Sequence, residues 1–182
     1  MALAEGAEGG FAGVYPVLKL LEERGEVRRG YFVAGLGAAQ FAHEGAAERL
    51  RTERESVSAE PQVRTLAAVD TAQPYGAALA WPESSGNPTR TVGAHVVLID
   101  GIPAAYLDRG QRSLITFDTV EGGAAAARIE LWVPALAQLV EDGRVSRVEL
   151  TTIEGEPSAS HRLAPTFKAA GFQTGYRGLT LR

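Results

Sequence analysis

The run Val14-Tyr-Pro-Val-Leu-Lys-Leu-Leu-Glu-Glu-Arg-Gly-Glu-Val-Arg-Arg-Gly-Tyr-Phe-Val33 constrains this chain more than any other feature. Val14, Val17, Leu18 and Leu21 recur at the i, i+3, i+4, i+7 spacing of one helical face. Pro16 is expected near the helix start, where a missing N–H costs little. Gly25 supplies the left-handed stop. Val27 to Arg29 and Tyr31 to Val33 then flank Gly30 as short strands of a tight hairpin. Helix, glycine stop and hairpin in this order form the second half of a winged helix. Such a module is usually a nucleic-acid reader or a packing unit and seldom an active site.

The chain opens on a recognition-type helix with no earlier helices to pack on. This points to a piece of a longer protein with an added start codon. At 182 residues there is room for this half-module, residues 1–55, and one further domain, residues 62–182, joined by the polar stretch Glu55 to Pro61. A chain of this length buries roughly 70% of its unfolded surface and needs no covalent staples. The formal charge of -4 excludes a wholesale basic nucleic-acid coat, so any DNA contact must be local. The absence of cysteine removes disulfides, zinc-thiolate sites, iron–sulfur clusters and cysteine nucleophiles. No apolar stretch approaches the roughly 20 residues that span a bilayer, and no signal peptide is visible. A cytoplasmic protein without a membrane partner is expected.

Downstream, a second helix is expected over Ala46 to Arg54. Strands are expected at Thr65 to Val69, Gly93 to Ile99, Ala104 to Asp108 and Ser113 to Phe117, with Asp100-Gly101 and Arg109-Gly110 as turns. Together they read as an antiparallel meander. Between the first two lies a long loop, Asp70 to Pro88, of the length usually reserved for function. Ile129, Trp132, Leu136, Leu139 and Val140 favour a helix over Gly122 to Gly143, despite Pro134. Val145 to Ile153 reads as one strand, His161 to Ala170 as a helix stopped by Gly171, and Phe172 to Tyr176 and Leu179 to Leu181 as closing strands. The fold class is α+β. The end of a winged helix precedes a mixed, mainly antiparallel, barrel-like β domain with two or three helices.

The candidate DNA contacts are Arg28, Arg29, Tyr31, Tyr75, Trp81, Arg162, Lys168 and Arg177. Arg28 and Arg29 lie on the wing with Tyr31 beyond the turn, placed for phosphate oxygens. The alternative is a solvated hairpin neutralised by Glu22, Glu23 and Glu26. Tyr75 and Trp81 sit on the long loop, where aromatics either stack bases or close a barrel mouth. From Pro157 to Arg182 the chain carries Arg162, Lys168, Arg177 and Arg182 and no Asp or Glu. That stretch either tracks phosphates or pairs with Glu149, Glu154 and Glu156.

Catalytic motifs are scarce. There is no G-x-x-x-x-G-K-[ST] phosphate loop, and Gly35-Leu-Gly37 lacks both the third glycine and a βαβ setting. His43, His95 and His161 have no metal-ligand spacing. Ser158, Ser160 and His161 lack a G-x-S-x-G elbow. Asp70, Asp100, Asp108 and Asp118 fall at strand ends or turns. One well-placed acid can break a glycosidic bond, but the sequence does not choose among the four, and turn or solvation roles are their default. The catalytic residue is therefore unknown, and neither a metal nor a cofactor is expected in these residues.

Several segments together resemble the C-terminal region of bacterial large helicase-related (Lhr) proteins. They are Gly10-Phe11 through Val14-Tyr-Pro-Val-Leu18, Gly25-Glu-Val-Arg-Arg-Gly-Tyr-Phe-Val33, and Gly35-Leu-Gly-Ala-Ala-Gln-Phe-Ala42. The segment Ala68-Val-Asp-Thr-Ala-Gln-Pro-Tyr-Gly-Ala-Ala-Leu-Ala-Trp-Pro82 is similar to that family's D-x-A-x-P-Y-G-A-x-L-x-W-P pattern, and Gly93 to Asp108 and Gly171 to Leu179 also fit. The resemblance implies a piece of an ATP-dependent superfamily 2 DNA helicase of 3′-to-5′ polarity, tied to DNA repair. ATP and Mg2+ would belong to the parent motor. The implied partners are single-stranded or forked DNA, the rest of the parent chain and a homo-oligomer. The resemblance also implies a likeness to DNA glycosylases that unhook crosslinked bases. Their Gln-x-Gln pair is absent, Gln40 being followed by Phe41, so that chemistry transfers to no residue here. A glycosylase for damaged or deaminated bases and a purely structural oligomerisation scaffold stand as alternatives to a DNA-binding and assembly module.

Overall fold

The computed structural model describes residues 6–33, 36, 39–55, 60–117 and 124–182, with backbone alone at 55 and 124–127. The chain divides into two units, Met1–Ala59 with Ala77–Ala80, and Glu60–Gly76 with Trp81–Arg182.

In the first unit, helix α1 runs Gly10–Glu23. It starts earlier than the sequence spacing predicts, so Pro16 lies inside the helix rather than in its first turn. A proline there removes one backbone bond. The helix ends in a Schellman motif: Gly25 at φ 75° donates to the Glu22 carbonyl at 3.0 Å, and Glu26 N–H reaches Leu21 O at 2.9 Å. Strand β1, Val27–Gly30, does not turn back at Gly30. It pairs antiparallel with β2, Gln40–His43, with Gly30 opposite Gln40. The expected strand Tyr31 to Val33 belongs instead to a longer connection. Gln40 explains the difference. Its Oε1 accepts the N–H groups of Phe32 and Val33 at 2.9 and 2.8 Å, and its Nε2 donates to the carbonyls of Val33 and Leu36. These bonds satisfy backbone groups that a tight hairpin would have paired. Helix α2, Glu44–Glu55, follows at once. Gly35 and Gly37, and residues 56–59 of the expected linker, lie outside the described residues.

Among the described residues of this unit only Gly10 is buried. Phe11, Val17, Leu20, Tyr31, Val33 and Leu50 are all exposed.

The second unit begins with the expected meander: β3 Val63–Ala67, β4 His95–Ile99, β5 Ile102–Leu107 and β6 Ser113–Thr116. β4 is buried along its whole length, with β3 and β5 along its edges and α3 packed on it, which suits its unbroken Val-Val-Leu-Ile run. The β4–β5 turn uses Asp100 and Gly101 at φ 51° and 81°, the left-handed pair of a type I′ turn. Helix α3, Ala124–Glu141, runs through Pro134 and packs on β3, β4 and β5. Then come β7 Val148–Leu150, β8 Thr152–Ile153, β9 Glu156–Pro157, α4 Ala164–Ala169, β10 Gln173–Gly175 and β11 Gly178–Leu181.

The span Val145 to Ile153 is therefore not one strand. β7 joins a three-stranded sheet of order β10-β11-β7, whereas β8 joins a six-stranded sheet of order β3-β4-β5-β6-β8-β9. The switch falls at Thr151, whose N–H and Oγ1 both donate to the Arg112 carbonyl, at 2.8 and 3.0 Å. Among the described pairings only β6–β8 is parallel. Among the described residues β3 and β9 are the ends of the larger sheet, and the pairings form no closed barrel. Two-residue strands such as β8 and β9 offer too short a ladder to carry a ring back to β3. The core lies between the meander, α3 and the last strands, with Val97, Leu107, Leu114, Leu136, Leu150 and Phe167 fully buried. Among the described residues no helix is long and apolar enough to cross a membrane.

Candidate nucleic-acid interface

In the first unit Arg28 and Arg29 both have carboxylate partners. Arg28 Nη2 lies 2.6 Å from Glu44 Oε1, and Arg29 Nη2 lies 2.7 Å from Glu22 Oε2. Arg29 also sits over two rings, 5.7 Å from the Tyr15 centroid and 5.2 Å from that of Phe41. Its bond to Glu22 raises the guanidinium above its ordinary pKa. Arg29 thus joins α1 to the β1–β2 ribbon. Arg28 remains largely exposed, and its pair is worth about 0–1 kcal/mol, weak enough for a phosphate to displace. Tyr31 stands exposed just past β1.

In the second unit the long loop organises itself around Gln73 and Arg90. Buried Gln73 donates to the carbonyls of Ala68 and Tyr75, at 3.1 and 3.0 Å, and accepts the Tyr75 N–H. The Arg90 guanidinium donates to the carbonyls of Val69, Asp70 and Gln73. This frame presents Trp81 to three rings. It stacks on Tyr75 and Phe117 with centroids 6.0 Å away in each case, and meets Tyr106 edge-on at 5.7 Å. The Tyr75 hydroxyl donates to Gly101 O at 3.2 Å, and partial burial pushes the phenol pKa up. Both aromatics are therefore engaged in packing.

The basic stretch near the chain's end divides. Arg162 pairs with Glu154 at 3.2 Å, and Glu154 also takes the Thr116 hydroxyl and lies 3.6 Å from His161 Nε2. Lys168, Arg177 and Arg182 are exposed and pair with no acid among the described residues. Arg177 and Arg182 line a groove of about 490 Å3 beside β10 and β11, together with Gln173, Thr174, Tyr176 and Thr180. Its one acid, Glu149, is mostly covered and lies 3.7 Å from Arg147.

Tyr176 is absent from the residues singled out on sequence, which places it at the end of a strand. The structure sets it at the hairpin tip, fully exposed. The enclosing Gly175-Tyr-Arg-Gly178 was the available signal, since glycines on both sides mark a turn.

The candidate acids and histidines sort by their bonds. Asp70 Oδ1 accepts Ala72 N–H at 2.8 Å, a local turn bond. Asp100 Oδ1 accepts Gln62 N–H at 2.8 Å, and Oδ2 lies 3.9 Å from Arg128. Asp108 Oδ1 accepts the N–H groups of Arg112 and Ser113 at 2.7 and 2.9 Å. Asp108 also lines a cavity of about 530 Å3 with Asn87, Thr89, Tyr106 and Ser113. Asp118 lies outside the described residues. Ser158 is fully buried; it donates to Leu150 O and accepts Leu179 N–H at 3.2 Å, a clamp between β7 and β11. His95 is buried with no partner on Nδ1 among the described residues, and burial first, then Arg144, lowers its pKa. No three His, Asp or Glu side chains converge as metal ligands among the described residues.

Residues 1–62 match the model of the large helicase-related protein winged-helix domain. The chain is 41% identical, over 98% of its length, to a Mycolicibacterium smegmatis protein described as "Lhr helicase/probable uracil glycosylase". It is 30% identical, over 97% of its length, to the Escherichia coli "Lhr helicase/uracil glycosylase". In each case it spans 12% of the relative's own length. The winged-helix match over the first unit and two alignments running through both units agree: this chain belongs to the large helicase-related (Lhr) family.

Proposed function

We propose that this chain is a DNA-binding and assembly module of an ATP-dependent 3′-to-5′ repair helicase whose motor lies in other residues. The observation that carries the DNA contact is Arg177 and Arg182, which line a polar groove of the second unit and pair with no acid among the described residues. Cations without internal carboxylates are the ones free to replace counterions on phosphate. The assembly half of the reading rests on the first unit, whose exposed Phe11, Val17 and Leu20 leave α1 apolar surface for the parent chain to cover. The sequence holds no phosphate-loop lysine, so ATP and Mg2+ are proposed for the motor alone.

The test is salt-dependent binding of the 182-residue chain to single-stranded and forked DNA. The Arg177→Ala/Arg182→Ala variant is expected to bind at least roughly tenfold more weakly at low salt, with its log–log salt slope reduced by about 2. Arg28→Ala, which removes a guanidinium already held by Glu44, is expected to have the smaller effect. Unchanged affinity and slope in the double variant would reject this surface.

A second reading is favoured by the relatives' descriptions and by the Asp108 cavity: excision of a deaminated base. Base-excising enzymes take the nucleotide out of the stack and read its edge. The Asn87 amide offers a donor and an acceptor for such an edge, and Asp108 Oδ2, with no hydrogen bond among the described residues, is free to take a proton from water. The C1′–N bond would break, the base would leave with the bonding pair, and the water oxygen would end on C1′. Uracil release from DNA should fall roughly 100-fold in Asp108→Asn and persist in Asp70→Asn. No release by the wild-type chain would end this reading.

A further inference from the structure

We infer that the β10–β11 hairpin is a stacking platform for single-stranded DNA, with Tyr176 taking an unpaired base on its ring and Arg177 holding the adjoining phosphate. The inference rests on the DNA-binding reading above and adds to it the residue that meets the bases of a single strand.

Three observations converge on this hairpin. Tyr176 has a relative exposure of 104%, the highest among the exposed large hydrophobic side chains. Among the described residues its ring meets no other ring and its hydroxyl makes no hydrogen bond. The other aromatics of the second unit are packed, as the stack around Trp81 and the Trp132–Phe167–Phe172 cluster show. An aromatic at a hairpin tip gains nothing from burial, and both faces of its ring are open to a ligand.

The support beneath it is rigid. β11 is the middle strand of its sheet, paired to β10 through Thr174–Leu179 and to β7 through Leu179–Leu150. Gly178 sits so close to the Leu150 carbonyl and Ser158 Oγ that a Cβ would overlap both. The backbone that carries the ring is therefore held in place before a ligand arrives, which removes part of the ordering cost of binding.

The surroundings select a nucleic-acid strand. Next to the ring are the Arg177 guanidinium, the groove-lining Arg182, and the hydrogen-bonding side chains of Gln173, Thr174 and Thr180. Aromatic faces joined to a cationic groove bind single strands without reading their sequence. Duplex bases present no free face to a projecting ring, because each is covered by its neighbours. An extended single strand does.

The experiment uses the 182-residue chain and a single-stranded oligonucleotide carrying one 2-aminopurine, alongside a duplex of the same sequence. Tyr176→Ala is expected to lose roughly tenfold in single-strand affinity, together with the aminopurine fluorescence change, while its salt slope stays at the wild-type value. Tyr176→Phe is expected to keep both. Duplex affinity should be the same in all three. Melting curves should coincide, because the exposed side chain supports nothing. If wild-type protein binds and Tyr176→Ala binds the single strand equally well, this inference is overturned while the DNA-binding reading stands, and the tip is left to a protein partner. If wild-type protein binds no DNA, both fall.

Discussion

Gly178→Ala is expected to cost the second unit about 4 kcal/mol or more, a large share of the roughly 5–15 kcal/mol that holds an ordinary domain folded. The backbone there has φ 139°, where L side chains rarely sit. The steric problem is larger than the torsional one. The new methyl would overlap the Leu150 carbonyl oxygen and the Ser158 hydroxyl, the two groups that tie β7 to β11. Leu150 and Leu179 are fully buried at that junction, so neither strand has room to retreat without opening the core. Gly143→Ala is the matched control. Its φ is 68° but nothing lies within 4 Å of an added Cβ, so about 1 kcal/mol of backbone strain is expected. Denaturant midpoints of the two variants measure the difference. Equal losses would mean that torsion alone, and not the close approach, dictates glycine at 178.

Trp81→Ala is expected to cost about 3 kcal/mol, the lower range for removing a large aromatic from a packed site. The side chain fills the space between Tyr75, Tyr106 and Phe117, and each ring pair adds roughly 0.5–1.5 kcal/mol beyond its buried area. Gly76 shows how closely the stack is fitted, since a Cβ there would overlap the indole nitrogen. Urea titration and near-ultraviolet circular dichroism, which reports fixed aromatic rings, should both register the loss. The competing role, a loop aromatic that stacks on bases, makes the reverse demand. Stability would then be untouched and DNA affinity would fall. The two outcomes separate a packing residue from a contact residue at the centre of the family-like Pro-Tyr-Gly…Trp-Pro segment.

That contrast extends to the other candidate contacts. Tyr75 and Trp81 are used internally, Arg29 lies against Tyr15 and Phe41 while bonded to Glu22, and Arg162 is held by Glu154. Arg177 and Lys168 remain open to solvent. All six are chemically suited to DNA, and residue type alone could not rank them. The ranking comes from whether a partner of opposite charge, or a second ring, lies within reach.

The sequence by itself determined the features whose causes are local. The spacing of Val14, Val17, Leu18 and Leu21 with Gly25 produced α1 and its Schellman stop. Asp100-Gly101 produced the β4–β5 turn. Apolar runs between turn residues produced the meander, and the stripe from Ile129 to Val140 produced α3 despite Pro134. The tertiary structure decided everything that depends on a distant partner. The Gln40 side chain occupied the backbone groups after Gly30 and moved the pairing of β1 to Gln40–His43. Arg112 broke the Val145 to Ile153 run at Thr151 and sent its halves into different sheets. Glu22, Glu44 and Glu154 claimed three of the arginines. A helix stripe or a turn is encoded within a few neighbouring residues, whereas strand partners and ion pairs are settled by groups brought together only when the chain folds.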